Sequence, residues 1–303
     1  MSRIIVSGLI NIETTLKVDG FPIEYFPVRY PFNGVHSSVS GVGYNLSKAL
    51  TTLGHEVDFL SLIGWDLAGG QVRAALAADG ISDANVISQI EHTPQSVIIY
   101  DESGRRQINV DLKDIQEQVY PQERFEAAMQ KVDLLALCNV NFSRPMLKLA
   151  REAGKLVATD VHTIGDLYDD YNSDFMAAAN ILFMSDEHLP MSPEDWTKTL
   201  FKTYQNDIVV IGLGAEGALL AVRKDNFIGR FPAVQVRPIV NTIGAGDALF
   251  SAFLHGYLQT SDPYASIQRA ILFAGHKIGG ISAADGFLSA AELDKLFERR
   301  SRL

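Results

Sequence analysis

The sequence predicts an α/β fold, with a mostly parallel sheet covered by helices on both faces and a small second β-sheet beside it. Two observations carry this expectation. Short apolar runs alternate with stretches of helical spacing along most of the chain, and two segments interrupt that rhythm with turn residues and strand-like alternation.

The apolar runs fall at residues 4–6, 57–62, 134–137, 156–158, 181–184 and 208–211, bounded by polar residues or glycine as buried strands are. Helical spacing occupies 45–52, 71–78, 124–131 and 145–152. The interruptions lie at about 14–40 and 96–110, the second containing Asp101, Glu102, Ser103 and Gly104 as a hairpin turn. No internal repeat, low-complexity tract or Pro/Ser-rich linker divides the chain. One domain spanning 1–303, with the interrupting segments as an inserted β appendage, is the expected organisation.

Composition narrows the function classes. Acidic residues outnumber basic ones by 36 to 26, and the net charge of -10 repels a nucleic-acid backbone or an anionic membrane. It does not exclude a small anion held by aimed backbone N–H groups. Cys138 is the sole cysteine, so no internal disulfide forms and paired-cysteine zinc sites are ruled out. The apolar burst after Arg3 meets Asn11 and Glu13 too soon for a signal-peptide core, and no apolar stretch reaches spanning length. A soluble, cytoplasmic protein is expected.

The most informative segment is Asn241, Thr242, Ile243, Gly244, Ala245, Gly246, Asp247, followed by an almost continuously apolar helical stretch. Small residues at 244–246 leave first-turn N–H groups unobstructed, and the helix dipole adds partial positive charge there. Asp247 stands where an anion would bind, which makes chemical sense if it accepts a proton from a hydroxyl attacking a phosphate. Taken alone, the segment also fits a plain glycine turn whose Asp complements the helix terminus. A second segment, Gly41, Val42, Gly43, Tyr44, Asn45, opens the stretch of helical spacing at 45–52. Its glycines admit a ligand to the backbone and its Asn donates and accepts toward a polyol; a turn with an Asn cap fits equally. A third, Gly212 to Gly217, matches G-x-G-x-x-G, but Ala218 and its neighbours read as another strand. A turn between strands is expected rather than a dinucleotide site.

Residues 241–247 resemble the Asp-Thr-x-Gly-Ala-Gly-Asp signature of the ribokinase-like (PfkB) carbohydrate kinases, whose last Asp is the catalytic base. Ser40 to Asn45 resembles that family's Gly-Gly-x-x-x-Asn signature, and Gly8 to Glu13 its opening Gly-x-x-Asn-x-Asp. The order and separation match over nearly the whole chain. The resemblance implies a ribokinase-like fold with a β lid and transfer of the γ-phosphate of ATP to a sugar hydroxyl. The implied site places Asp247, Gly244, Ala245 and Gly246 at the reacting phosphate, and Asn11, Glu13, Gly41, Gly43 and Asn45 on the substrate. Nucleotide would lie along Ser185, Gly212, Gly214, Gly217 and Thr242, with Ala274 and Lys277 at the adenine pocket. Magnesium is expected because the transferring phosphates need charge neutralisation and themselves supply ligands. A homodimer through the lid is a further expectation.

Departures from the family pattern are Gly212 for a Thr, Glu13 for an Asp, Ser40 for a Gly, and Ser185 and His188 at the ends of an Asn-x-x-Glu element. Asn241 replaces an Asp that some relatives use for a monovalent cation, which leaves that ion and any protein metal ligands unassigned. Free sugar is the leading acceptor class. A nucleoside or pseudouridine is the alternative, with Asn109 and the arginines at 105 and 106 expected to meet a base. The different-class alternative is a catalytically weak binding or regulatory protein on the same scaffold.

Overall fold

The computed structural model describes residues 1–301; residues 302 and 303, which the expected domain span includes, lie outside the described residues. The chain begins with β1 (Arg3–Ser7), β2 (Asn11–Lys17), β3 (Val35–Ser40), α1 (Val42–Thr52), β4 (Glu56–Gly64), α2 (Leu67–Ala78), β5 (Val86–Ile90), β6 (Gln95–Tyr100) and β7 (Arg106–Asp111). It continues through α3 (Gln122–Met129), β8 (Leu134–Leu137), α4 (Arg144–Glu152), β9 (Val157–Thr163), α5 (Ser173–Ala178), β10 (Ile181–Ser185), α6 (Pro193–Thr203) and β11 (Ile208–Gly212). Then come β12 (Ala218–Val222), β13 (Phe227–Phe231), α7 (Ala245–Thr260), α8 (Pro263–Lys277) and α9 (Ala290–Ser301). Each apolar run and each helical stretch named above falls within, or within two residues of, one of these elements.

The large sheet has the order β13-β12-β11-β10-β9-β8-β1-β4-β5 and is parallel from β11 to β5, with β12 and β13 antiparallel at one edge. Its strands are apolar on both faces because helices cover both. Ile4 and Val6 point into the core shared with α1, α7 and α8, whereas Ile5 points into the core shared with α3, α4, α5 and α6. Leu134 and Ala136 against Leu135 and Leu137 repeat the alternation. Strand order reverses at β1, between β4 and β8, and in such sheets ligands bind beyond the carboxyl ends of the strands near that point.

The small sheet, order β3-β2-β6-β7, forms the lid. It begins three residues after β1, so its first strand rises directly from the switch point. Its outer hairpin closes where the sequence indicates: the Asp101 carboxylate accepts from the Ser103 N–H at 2.9 Å, and the Asp101 N–H donates to the Arg105 carbonyl at 3.1 Å.

Helix α7 is buried continuously from Ala248 to Gly256, between α1 and α8, which explains its lack of a polar face. Such a helix gives its first turn a fixed position. Gly244 caps it at φ 75°, where a Cβ would also come 2.6 Å from the Ala283 carbonyl oxygen, so only glycine fits.

Candidate active site

Four segments that the sequence singled out meet at the carboxyl end of β1. The Asn45 amide, in the first turn of α1, donates to Asp247 Oδ2 at 2.7 Å. Ser40, ending β3, donates to Glu13 Oε2 at 3.0 Å and lies 3.5 Å from Asn45 Oδ1. Asn11 donates to Ser96 Oγ at 2.9 Å. A polar row therefore runs from the lid strand β2 through Ser40 and Asn45 to Asp247. Asn11, Glu13 and Asn45 are 3%, 6% and 3% exposed, and Asn11 Oδ1 and Glu13 Oε1 are buried without any hydrogen-bond partner. Unmatched buried acceptors are costly, by about 1–3 kcal/mol each, and call for donors from outside the chain.

Burial pushes the Asp247 carboxyl above the usual carboxylate range, while the Asn45 bond and the Lys277 charge restrain it. Burial likewise raises Glu13, with Ser40 opposing and the Asp247 charge adding to the rise. Asn45, expected from the sequence as a substrate contact, donates its amide to Asp247. A Cβ on Gly43 would meet the Gly8 backbone, so that glycine allows α1 to pack on the end of β1. A Cβ on Gly41, at φ 107°, would stand 2.6 Å from the Leu9 carbonyl oxygen and 3.1 Å from Asn11 Oδ1.

At the start of α7 the Ala245 N–H is spent on the Thr242 carbonyl at 3.2 Å, and the Ala248 N–H on the Gly244 carbonyl at 3.0 Å. Among the described residues the N–H groups of Gly244, Gly246 and Asp247 take no backbone partner, which leaves a three-donor cradle. Nothing lies within 4 Å of a Cβ placed on Gly246, so the space above the cradle is open.

Gly212, Gly214 and Gly217 form the turn between β11 and the antiparallel β12, with one 3-10 turn at Gly214–Glu216, so the G-x-G-x-x-G match opens no α-helix and forms no dinucleotide fold. Ser185 pairs with Gly212 across the adjacent strand ends, and the Asp186 N–H donates to the Gly212 carbonyl at 3.0 Å. Desolvation raises the half-buried Asp186 carboxyl. Among the described residues no cluster of three or more His, Cys, Asp or Glu side chains could hold a metal ion.

Ala274 is half-buried against the core, and Lys277, one turn further along α8, is 0% exposed. Lys277 Nζ donates to the Ile243 carbonyl beneath the glycine turn. Asn109 lies opposite Val97, one residue out of phase with the Glu13–Ser96 and Thr15–Ile98 pairs that face the cleft. Its amide donates to the Val97 carbonyl at 3.2 Å, on the outer face of the lid. Arg106, Ile108 and Val110 hold the inward positions of β7. Arg106 Nη1 donates to Thr242 Oγ1 at 2.9 Å, and Ile98 packs with Ile243 and Ala283, so the lid rests on the glycine turn itself. The sequence named Arg106 only as a contact for a base; its pairing to Thr242 required the strand register.

Comparison with known proteins agrees with this geometry. Residues 1–289 match the pfkB family carbohydrate kinases. The chain is 26% identical over 299 residues to the ATP-dependent ribose-1-phosphate kinase of Halopiger xanaduensis, covering 97% of this chain and 96% of that one. It is 25% identical over 277 residues to the acarbose 7(IV)-phosphotransferase of an Actinoplanes species, covering 90% of each. Among solved structures, a microbiome-derived acarbose kinase superposes with a TM-score of 0.88 at 23% identity, over 98% of this chain and 99% of that one. A nucleoside kinase from Burkholderia thailandensis, in complex with inosine, gives 0.80 at 16% identity over 98% of each. With a family match over residues 1–289, almost its entire length, this chain belongs to the pfkB carbohydrate kinases.

Proposed function

We propose that this chain transfers the γ-phosphoryl group of ATP to a hydroxyl of a sugar or sugar derivative bound between the lid and the carboxyl end of β1. The observation that carries the reading is the pair of partnerless buried oxygens, Asn11 Oδ1 and Glu13 Oε1, with the Asp247 charge acting on Glu13. Both suit the hydroxyl donors of a polyol. Asp247 takes the proton of the acceptor hydroxyl as its oxygen bonds to the γ-phosphorus and the bond to the β–γ bridging oxygen breaks, releasing ADP. The N–H groups of Gly244, Gly246 and Asp247 hold the charge of the transferring group. Contact of the lid with the turn keeps water from competing for it.

Nucleotide lies along Thr242 and the turn at Gly212, Gly214 and Gly217, beside Ser185. Asp186, beside that turn, is the carboxylate that would hold magnesium brought by the nucleotide phosphates, and the ion would neutralise phosphate charge there. Exposed Val35 and Val97, on the outer face of the lid, suit the proposed homodimer. The proposed setting is the cytoplasm, and the buried Cys138 needs no oxidised partner. No described helix is long and apolar enough to cross a membrane.

The two curated relatives act on a sugar phosphate and a sugar-like oligosaccharide, which supports a sugar derivative as acceptor. The intact link from Asp247 through Asn45 to Ser40 argues against a purely regulatory role. A coupled assay for ADP release over pentoses, hexoses, sugar 1-phosphates, acarbose and nucleosides tests the reading. Turnover with a sugar or sugar derivative is expected. Turnover with nucleosides alone would change the acceptor class, and ADP release no faster with any acceptor than without would overturn the proposal.

A further inference from the structure

Behind the glycine turn, main-chain carbonyls from two segments converge. Asn241 Nδ2 donates to the Gly280 carbonyl at 3.1 Å and the Ile281 carbonyl at 2.6 Å, and its Oδ1 accepts from the Ile243 N–H at 3.1 Å. Lys277 Nζ donates to the Ile243 carbonyl. Carbonyl oxygens gathered in this way need a positive partner, either N–H donors or a cation. An Asp at position 241 would set a carboxylate oxygen against Gly280 and Ile281, an arrangement that demands an ion between them. The amide of Asn241 removes that demand, and a buried ammonium stands nearby. The residues present therefore do not fit a bound monovalent cation.

We propose that Lys277 and Asn241 together replace a monovalent cation, which makes the enzyme independent of potassium, and that Lys277 is a positioning residue for the phosphate cradle. The inference rests on the phosphoryl-transfer reading above. The only cis peptide bond among the described residues is Phe21–Pro22, so the peptide joining Ile243 to Gly244 is trans. A trans peptide directs its C=O and N–H to opposite sides. Lys277, by holding the Ile243 carbonyl beneath the turn, thus aims the Gly244 N–H away from itself, toward the open side. Burial draws the Lys277 ammonium down to about 8, with Asp247, Glu13 and Asp285 acting against that, so it is largely charged at neutral pH.

The test compares potassium, sodium and tetramethylammonium chlorides at equal ionic strength. For the wild type, kcat, calorimetric affinity for a non-hydrolysable ATP analogue and melting temperature are expected to be the same in all three. Lys277→Met keeps the volume without the charge and is expected to lower kcat by about tenfold to a hundredfold, with the KM for the acceptor little changed. Lys277→Ala leaves space for an ion, so potassium should restore its activity and raise its melting temperature where tetramethylammonium does not. Asn241→Asp should acquire the same potassium dependence. Potassium activation or stabilisation of the wild type would overturn the inference, as would full activity of Lys277→Met. If both Lys277 variants fail to fold, the wild type and Asn241→Asp decide the matter. Absence of nucleotide binding in every salt would defeat the kinase reading instead, and the melting comparison would still decide between ammonium and bound ion.

Discussion

As the proposed base, Asp247 can accept a proton only while ionised, so the forces on its carboxyl would set the pH at which the reaction runs. Burial raises it and the Asn45 bond restrains it. Asp247→Asn is expected to reduce kcat by about two to four powers of ten with little change in ATP affinity, as for a positioned general base. Steady-state kinetics and calorimetry check both halves. Asn45→Ala removes a donor that favours the charged form, so the acid limb of kcat/KM should move to higher pH. An unmoved limb in the pH profile would mean that Asn45 serves the substrate instead. Asp247 and its glycine turn were legible as a local pattern, and the base role proposed for it came from the resemblance of the whole segment. The task of Asn45 was not, because the partner of its amide lies 202 residues away. The bond of Lys277 to the Ile243 carbonyl was hidden for a similar reason, because its partner lies 34 residues away and is reached only once α8 is packed.

At the scale of elements, period and turn chemistry did most of the predictive work. The parallel strands announce themselves as apolar runs because both faces are covered, and the 101–104 turn carries an Asp that accepts from its own backbone two residues on. The register of β7 was not legible. One residue of phase separates the inward Ile108 from the outward Asn109, and only pairing with β6 fixes which faces the cleft. Helix α7 supports a sharper expectation. Its first turn is held by a buried body, yet the space at Gly246 is empty, and that residue carries no positive φ. Gly246→Val should therefore fold and block the cradle, with affinity for an ATP analogue falling about tenfold or more in calorimetry. Unchanged affinity in the folded variant would remove the anion-binding role of the turn.

Across the whole molecule, the helix that carries the base at its start is tied near its other end by two histidines that the chemistry does not use. His55 Nε2 and His255 Nδ1 lie 2.9 Å apart, and the side chains are 6% and 1% exposed. One ring must donate and the other accept, so at least one nitrogen of the contact is unprotonated; a proton on both would place two donors face to face in the core. Burial lowers both groups, His255 to about 4, with the His55 charge adding to the fall of His255 and the N-terminal ammonium to that of His55. The sign follows from linkage. The unfolded chain binds protons as pH falls through about 6.5, the folded chain only at lower pH, so stability is fully present above that value and is lost as pH drops toward about 4. For His255 the loss approaches about 3 kcal/mol at the bottom of the window, enough to matter against a total of roughly 5–15 kcal/mol. Urea unfolding between these limits should show a steeper acid-side decline for the wild type than for the double variant His55→Leu, His255→Leu. Comparing the two chains cancels the opposite contribution of Glu13 and Asp247, whose raised carboxyls take up protons in the folded state. Parallel curves for the two proteins would show that the pair stays neutral at no cost, and would leave the acid response to the carboxylates.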